Sequence, residues 1–138
     1  MSEKFLRVEH IGLAVKNLND SIRQWTEILG EPPYHEEEVA SEKVKTIFFQ
    51  VGETKIELLG GTSPDSVIHK FIEKKGEGIH HIAMEVKDIE AEMHRLKSLG
   101  YTLLNETPKR GADNKLICFV HPKNTGGVLL ELCQSIVE

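Results

Sequence analysis

The sequence predicts an α+β fold in which two tandem βαβββ modules form one curved mixed sheet. Two observations predict it: the chain contains an internal repeat, and strand-like and helix-like hydrophobic patterns follow the same order in both copies. Because 138 residues is the length of one ordinary domain, we expect a single domain covering residues 1–138.

The repeat becomes visible when the chain is shifted by 71 residues. The offset varies only from 70 to 74 as three pairs of segments align: Val8–Leu18 with Ile79–Ile89, Leu29-Gly30 with Leu99-Gly100, and Lys55–Leu59 with Leu129–Cys133. Chance similarity between two strand–helix units is the alternative, but three landmarks in one order argue against it. We therefore place the copies at about residues 5–60 and 78–134, with a linker helix at about 63–76.

In the first copy, the apolar pattern of Val8–Val15 predicts a strand. The following helix is expected to begin near Asn19 or Asp20, because both are good N-caps, and to end at Gly30. Three more strands are predicted, at Tyr34–Val39, Val44–Val51 and Lys55–Leu59.

The second copy repeats this order. A strand at Ile79–Val86 leads to a helix capped by Asp88 and ended by Gly100. Three strands follow, near Leu103–Glu106, Leu116–His121 and Val128–Cys133. Between the copies, Ser63-Pro64 is expected to open the linker helix and Gly76 to end it.

Composition argues against several classes of function. The net charge of −5 disfavours nucleic-acid binding. No apolar run reaches the roughly eighteen residues of a membrane span, and Met1 is not followed by an apolar signal segment. Cys118 and Cys133 lie in apolar, strand-like runs, so we expect two buried, reduced thiols and a cytoplasmic location.

Four side chains that can bind metals occupy matching places in the copies: His10 pairs with His81, and Glu57 pairs with Glu131. Imidazoles and carboxylates suit divalent transition metals, and four such ligands leave coordination positions for substrate. Any one of these residues alone is more often structural. Their joint occurrence at equivalent positions predicts a metal-binding cleft.

The histidine at each site shares its strand face with small residues, as with Gly12 and Ala14 beside His10, while the opposite face is bulky and should pack on a helix. By the same alternation, His80 should face away from His81. His121, which precedes Pro122 at a strand end, is expected to stabilise a turn.

These residues resemble the vicinal oxygen chelate superfamily and, within it, the methylmalonyl-CoA epimerase family. The likeness covers nearly the whole chain and rests on four segments: Val8–Val15, Lys55–Leu59, Gly78–Ala83 and His121–Leu132, of which the last is the most specific. The resemblance implies the glyoxalase fold and epimerisation of methylmalonyl-CoA at C2 through an enediolate. It also implies an acyl-CoA substrate, a homodimer, and a cobalt, manganese, zinc or nickel ion bound by His10, Glu57, His81 and Glu131.

The resemblance also implies catalytic roles. Glu131 is the first candidate for the catalytic base, and Glu57, its repeat mate, is the second. Several bacterial relatives have a glutamate in the third strand, where this chain has Thr46 beside Lys45, so the identity of the second base stays open.

A basic group in the second copy is expected to contact the anionic CoA moiety. It contains Lys109, Lys115 and Lys123, together with Arg110. Gly111 and Ala112 would permit close approach of substrate to the backbone. Solvated surface lysines are the alternative interpretation for each cation taken singly.

Three other functions fit parts of the pattern. A glyoxalase I-like lactoylglutathione lyase would share the metal ligands, and turnover of a hemithioacetal would identify it. A metal-free protein that sequesters small molecules such as antibiotics would not need the four ligands. An iron dioxygenase would need only His10, His81 and Glu131, and oxygen consumption would reveal it.

Overall fold

A computed structural model describes residues 4–137, which form eight strands, three α-helices and one 3-10 helix. In chain order they are β1 (Phe5–Ala14), α1 (Leu18–Leu29), β2 (His35–Val39), β3 (Val44–Val51), β4 (Thr54–Gly61), α2 (Val67–Lys75), β5 (Gly78–Val86), α3 (Ile89–Ser98), β6 (Lys109–Gly111), β7 (Lys115–Val120), the 3-10 helix (Pro122–Asn124) and β8 (Leu130–Ser135). Two βαβββ modules joined by α2 are thereby confirmed.

The chain folds into two compact units that do not coincide with the repeats. The discontinuous unit contains the chain up to His10 and the chain from His81 onward, whereas Ile11–His80 forms the continuous unit. Strand β1 therefore contributes its first residues to one unit and its last residues to the other. The predicted single domain over residues 1–138 stays a prediction.

In the continuous unit the strands lie in the order β2-β3-β4-β1. Strands β2, β3 and β4 pair antiparallel, and the β3–β4 register places Phe48 opposite Glu57. Helix α1 covers one face of this sheet, where Ile22 and Trp25 pack against a buried cluster that includes Phe49 and Leu58. Glu57 therefore lies on the face away from α1.

In the discontinuous unit the order is β1-β5-β8-β7-β6. Strand β8 pairs parallel with β5 and antiparallel with β7, so the sheet is mixed as predicted. Helix α3 covers one face through Ile89 and Met93, which pack with Val86, Cys118 and Leu132. Alternate residues of the same strands face the other side of the sheet.

The helix ends follow local capping chemistry and correct two predictions. Helix α1 is capped by Asn17, whose side chain accepts a hydrogen bond from the Asp20 amide at 3.0 Å, so the cap is neither Asn19 nor Asp20. Ser66 caps α2, which therefore begins after the predicted Ser63-Pro64. A short polar side chain caps in both cases, but only where the extended backbone aims its oxygen at the first turn.

Three other helix ends are as predicted. Asp88 caps α3 by accepting from the Ala91 amide at 3.1 Å. Gly30 follows α1 at φ 76°, and Gly76 follows α2 at φ 79°, a left-handed backbone that glycine adopts without strain. Within residues 4–137, no helix has the length and apolarity needed to cross a bilayer.

The strand predicted near Leu103–Glu106 is wrong. Leu103 makes only an isolated bridge to Val120, and the second strand of the second module is β6. The reason is local, because the side chain of Asn105 accepts the Phe119 amide hydrogen at 2.9 Å, where a paired strand would offer a carbonyl. Strand β8 also begins two residues later than the predicted Val128.

Candidate metal centre

Three of the four predicted ligands meet in the discontinuous unit. His10 lies on β1, His81 on β5 and Glu131 on β8, and each is at least 94% buried. The two Nε2 atoms are 2.9 Å apart, and Glu131 Oε1 lies 3.7 Å from His10 Nε2 and 3.4 Å from His81 Nε2. The convergence that the repeat predicted for these three side chains is therefore observed.

Sheet geometry explains why they converge. Val86 and Leu132 pack under α3, so alternation turns His81 and Glu131 to the opposite, open face of the same sheet. The parallel register of β5 and β8 aligns Ala83 with Glu131, one pleat from His81. Phe119, opposite Glu131 on β7, packs edge-on against the His81 ring.

The donor atoms fit a divalent transition metal. Their three distances describe a triangle whose corners lie about 2.0 Å from a common centre, the length of a zinc–nitrogen or zinc–oxygen bond. Two imidazoles and a carboxylate are also the donor types that such ions select. His10, His81 and Glu131 could therefore hold one ion between them.

Glu9 contacts this centre, although it is not among the residues predicted from the sequence. Its side chain is 1% exposed, and its Oε1 lies 2.8 Å from Nδ1 of His10. A signal was available: a charged side chain stands inside an apolar strand, directly before a candidate ligand. Strict alternation hid it, since adjacent strand residues were assumed to face opposite sides.

Two further charges extend from Glu9. The Arg7 guanidinium lies 3.8 Å from Glu9 Oε2, and its Nη2 and Nε lie 2.8 Å and 3.0 Å from Glu85 Oε1. Cation and anion alternate along this row, which offsets the loss of hydration on burial.

Glu57, the fourth predicted ligand, belongs to the continuous unit. It is buried on β4 opposite Phe48, just as Glu131 is buried on β8 opposite Phe119. The two glutamates thus occupy equivalent places in their modules, as the repeat predicted. The participation of Glu57 in metal binding stays a prediction.

The residues predicted to contact CoA lie on and around β6 and β7. Lys109 and Lys123 are exposed and Ala112 is half-buried, whereas Lys115 is buried and donates to Ser135 Oγ at 2.8 Å. Gly111 has a packing role, because a Cβ atom there would lie 2.8 Å from Ile117 Cδ1. Their contacts with substrate stay predictions.

The two residues weighed around the second base differ in their surroundings. Thr46 is buried on β3 between Glu37 and Leu59, its partners across the sheet. Lys45 is half-buried, with its Nζ 3.6 Å from Glu36 Oε1. Lys45 therefore pairs with an exposed carboxylate.

Neither cysteine provides a thiolate near neutral pH. Both are free and buried, as predicted. Burial, helped by the charge of Glu131, raises the pKa of Cys118 to about 12. The pKa of Cys133 is raised further by burial and by the charges of Glu131 and Glu9.

The neighbouring histidines have structural surroundings. The His80 ring packs edge-on against Phe71 of α2, at a centroid distance of 4.9 Å. Burial, with a smaller contribution from the Lys75 charge, lowers the pKa of His80. His121 accepts the Lys123 amide hydrogen at 3.0 Å, which confirms the predicted turn-stabilising role.

Comparison with known proteins connects this centre to one group. The sequence pattern of the Glyoxalase/Bleomycin resistance protein/Dioxygenase superfamily matches residues 9–119. The ethylmalonyl-CoA/methylmalonyl-CoA epimerase of Cereibacter sphaeroides is 39% identical over 130 residues, 93% of this chain and 97% of that protein.

Two solved structures share the fold. Methylmalonyl-CoA epimerase from Mycobacterium tuberculosis matches with a TM-score of 0.92 and 34% identity, over 99% of this chain and 93% of that chain. A variant of Streptomyces coelicolor methylmalonyl-CoA epimerase, in complex with 2-nitronate-propionyl-CoA, matches with a TM-score of 0.90 and 31% identity over 96% of each chain.

Proposed function

This chain belongs to the glyoxalase, bleomycin resistance protein and dioxygenase superfamily, and from that premise we propose that it is a metal-dependent methylmalonyl-CoA epimerase. The membership confirms the fold and superfamily predicted from the sequence. The finer assignment is supported by the similarity over nearly the whole chain to proteins that bear this name.

The convergence of His10, His81 and Glu131 within 4.8 Å of one another carries the proposal. A buried group of two imidazoles and a carboxylate is costly to desolvate unless its atoms have strong partners. A bound cation is such a partner. We assign these three residues as ligands, and Glu57 as the fourth on the strength of its equivalence to Glu131 in the repeat.

The reaction must remove and return the proton at C2 of the substrate. A divalent ion, when bound, would stabilise the negative charge that develops on the thioester and carboxylate oxygens. We assign proton removal to the Glu131 carboxylate: the C2–H bond breaks, the proton passes to Glu131, and the electron pair delocalises into the thioester carbonyl as an enediolate.

Inversion requires a second group that returns a proton to the opposite face of the planar intermediate. We assign this step to Glu57, which enters the half-reaction protonated and leaves it as a carboxylate. Exchange with water then resets both groups. Thr46 has no acidic proton to supply, which supports the choice of Glu57.

The acyl-CoA tail carries phosphates and needs cations. Lys109 and Lys123 present exposed ammonium groups suited to that contact, and we assign further substrate contacts to Lys115, Gly111 and Ala112. The family resemblance also supports a cytoplasmic homodimer.

The test is incorporation of solvent deuterium at C2 of methylmalonyl-CoA, followed by mass spectrometry. We expect a gain of one mass unit that is lost after chelation and restored by cobalt(II) or manganese(II). Ethylmalonyl-CoA should be assayed in parallel, because the Cereibacter relative is named for both substrates. His81→Ala should abolish incorporation, whereas the adjacent His80→Ala serves as the matched control and should retain it.

Three outcomes would contradict the proposal. Turnover of the methylglyoxal–glutathione hemithioacetal without deuterium incorporation would identify a lyase of the glyoxalase I type. Oxygen consumption with iron(II) would identify a dioxygenase. Binding of a small molecule without turnover and without metal would identify a sequestering protein.

A further inference from the structure

We propose that Glu9 is a positioning residue for His10, fixing its tautomer and strengthening its bond to the divalent ion. The inference rests on the proposed metal centre and deepens it. It concerns a residue that does not contact substrate and acts through the imidazole alone.

The first step is the identity of the donor. Glu9 Oε1 and His10 Nδ1 are 2.8 Å apart, a normal hydrogen-bond distance. In this contact a carboxylate accepts the hydrogen carried by Nδ1, which is the tautomer that we propose for His10. In that tautomer the Nε2 atom of neutral His10 carries a free lone pair. This atom lies 2.9 Å from Nε2 of His81. Glu9 thus selects the tautomer that a metal needs.

The charge of the Glu9 carboxylate is a second way in which this residue can act on the His10 ring. A carboxylate bonded to the far nitrogen of a metal-binding imidazole orients the ring and makes it a stronger base. Glu9 is almost completely buried, so water screens this effect little. The charge of an ionised Glu9 would therefore be screened less than that of an exposed carboxylate.

The third step is what holds Glu9 in place. Arg7 approaches its second oxygen at 3.8 Å and is itself anchored by Glu85 at 2.8 Å. The shorter contact of Glu9 is with the imidazole, not with the guanidinium.

The experiment compares Glu9→Gln and Glu9→Ala with the control Glu92→Gln. Glu92 is also a buried glutamate of the discontinuous unit, but it bonds Arg95 on α3, which packs against the opposite face of the sheet. Cobalt(II) affinity is measured by competition with a chelating dye. We expect Glu9→Ala to weaken binding by about 10–100-fold and Glu9→Gln, which can still accept from Nδ1, by less. Glu92→Gln should bind as the wild type does.

The tautomer is read separately by nitrogen-15 NMR of the metal-free protein, which depends on neither metal nor substrate. We expect His10 to carry its hydrogen on Nδ1 in the wild type and in Glu9→Gln, and to lose that preference in Glu9→Ala. If Glu9→Ala does not fold, the isosteric Glu9→Gln decides through its affinity.

Wild-type cobalt affinity in both Glu9 variants would overturn the inference, and so would a wild-type His10 ring with its hydrogen on Nε2. An equal loss of affinity in Glu92→Gln would do the same, since it would reduce the effect to general destabilisation. Failure of the epimerase assay alone leaves these readouts intact and counts only against the proposed function.

Discussion

Strands β1 and β5 begin the two modules in the same way and differ at the residue before the ligand. Each carries a histidine, His10 or His81, and the Nε2 atoms of the two rings lie 2.9 Å apart. Before His10 stands Glu9, buried and bonded to that ring, whereas before His81 stands His80, half-buried against Phe71. The two copies have kept the metal-facing side chain and diverged in what surrounds it.

In this pair of strands the residue type is kept at the metal-facing position and differs at the position before it. Equivalent residues can therefore serve as controls for one another. Matched variants, one in each module, test whether equivalent residues of the two copies make the same contribution to catalysis and stability or different ones.

The largest effect is expected from the paired glutamates. Glu131→Gln and Glu57→Gln should each slow epimerisation by about 10²–10⁴-fold, because each removes one acid–base group. Each variant should retain deuterium wash-in from only one epimer, and the two variants from opposite epimers. Isotope exchange from each pure epimer measures this. Loss of exchange from the same epimer in both variants would contradict a division of labour.

The next effect concerns the cores under the two glutamates. Leu58 and Leu132 follow them in the repeat, and both side chains are 0% exposed. Truncation to alanine should lower the free energy of unfolding by about 2–5 kcal/mol in either module. Urea denaturation monitored by circular dichroism gives the value. A difference of more than about 2 kcal/mol between the variants would mean that one core tolerates the cavity better.

A smaller effect is expected at the helix caps. Asn17 caps α1 and Asp88 caps α3, each bonding the backbone amide three residues on. Replacement by alanine should lower the free energy of unfolding by about 1 kcal/mol in each case, and replacement by serine by much less. Thermal unfolding of the four variants provides the measurement. No loss in either alanine variant would show that packing alone holds that helix.

The effect that is smallest near neutral pH separates the modules by chemistry, because it develops only in alkaline solution. Cys118 and Cys133 belong to the second copy, and the raised pKa of each keeps its thiol protonated in the fold. Since the unfolded thiols ionise near their ordinary value of 9.0, stability should be unaffected below it and fall as pH rises from about 9 toward 12. The pH dependence of the urea midpoint measures this, with Cys118→Ala reducing the slope. Rapid alkylation of the native protein at neutral pH would contradict the assignment.

Much of this molecule could be predicted from the sequence because its repeat is long and its landmarks are local. The order of elements, strand β3, the glycine stops and the convergence of His10, His81 and Glu131 followed from hydrophobic period, turn chemistry and alignment of the copies. These signals depend on a few neighbouring residues or on comparison of one half with the other.

What could not be predicted depends on partners elsewhere in the fold. The bounds of β8 are set by its pairing with β5 and β7. Strand β6 lies later in the chain than the predicted strand, because the side chain of Asn105 accepts a hydrogen bond from the Phe119 amide of β7. Glu9 was missed because its role arises from a side-chain contact that strand alternation does not anticipate. The alternation of apolar and polar residues along a strand does not contain this information.

The division of β1 between two units has a consequence for the order of folding. His10 and His81 lie 71 positions apart, and the chain between them is a compact unit in its own right. That intervening segment can form its own contacts early. Its folding would shorten the effective loop between His10 and His81 that must close before the two imidazoles meet. A cation would then bind only late in folding, after most of the native contacts have formed. Its binding energy would lengthen the lifetime of the native state rather than speed the first collapse.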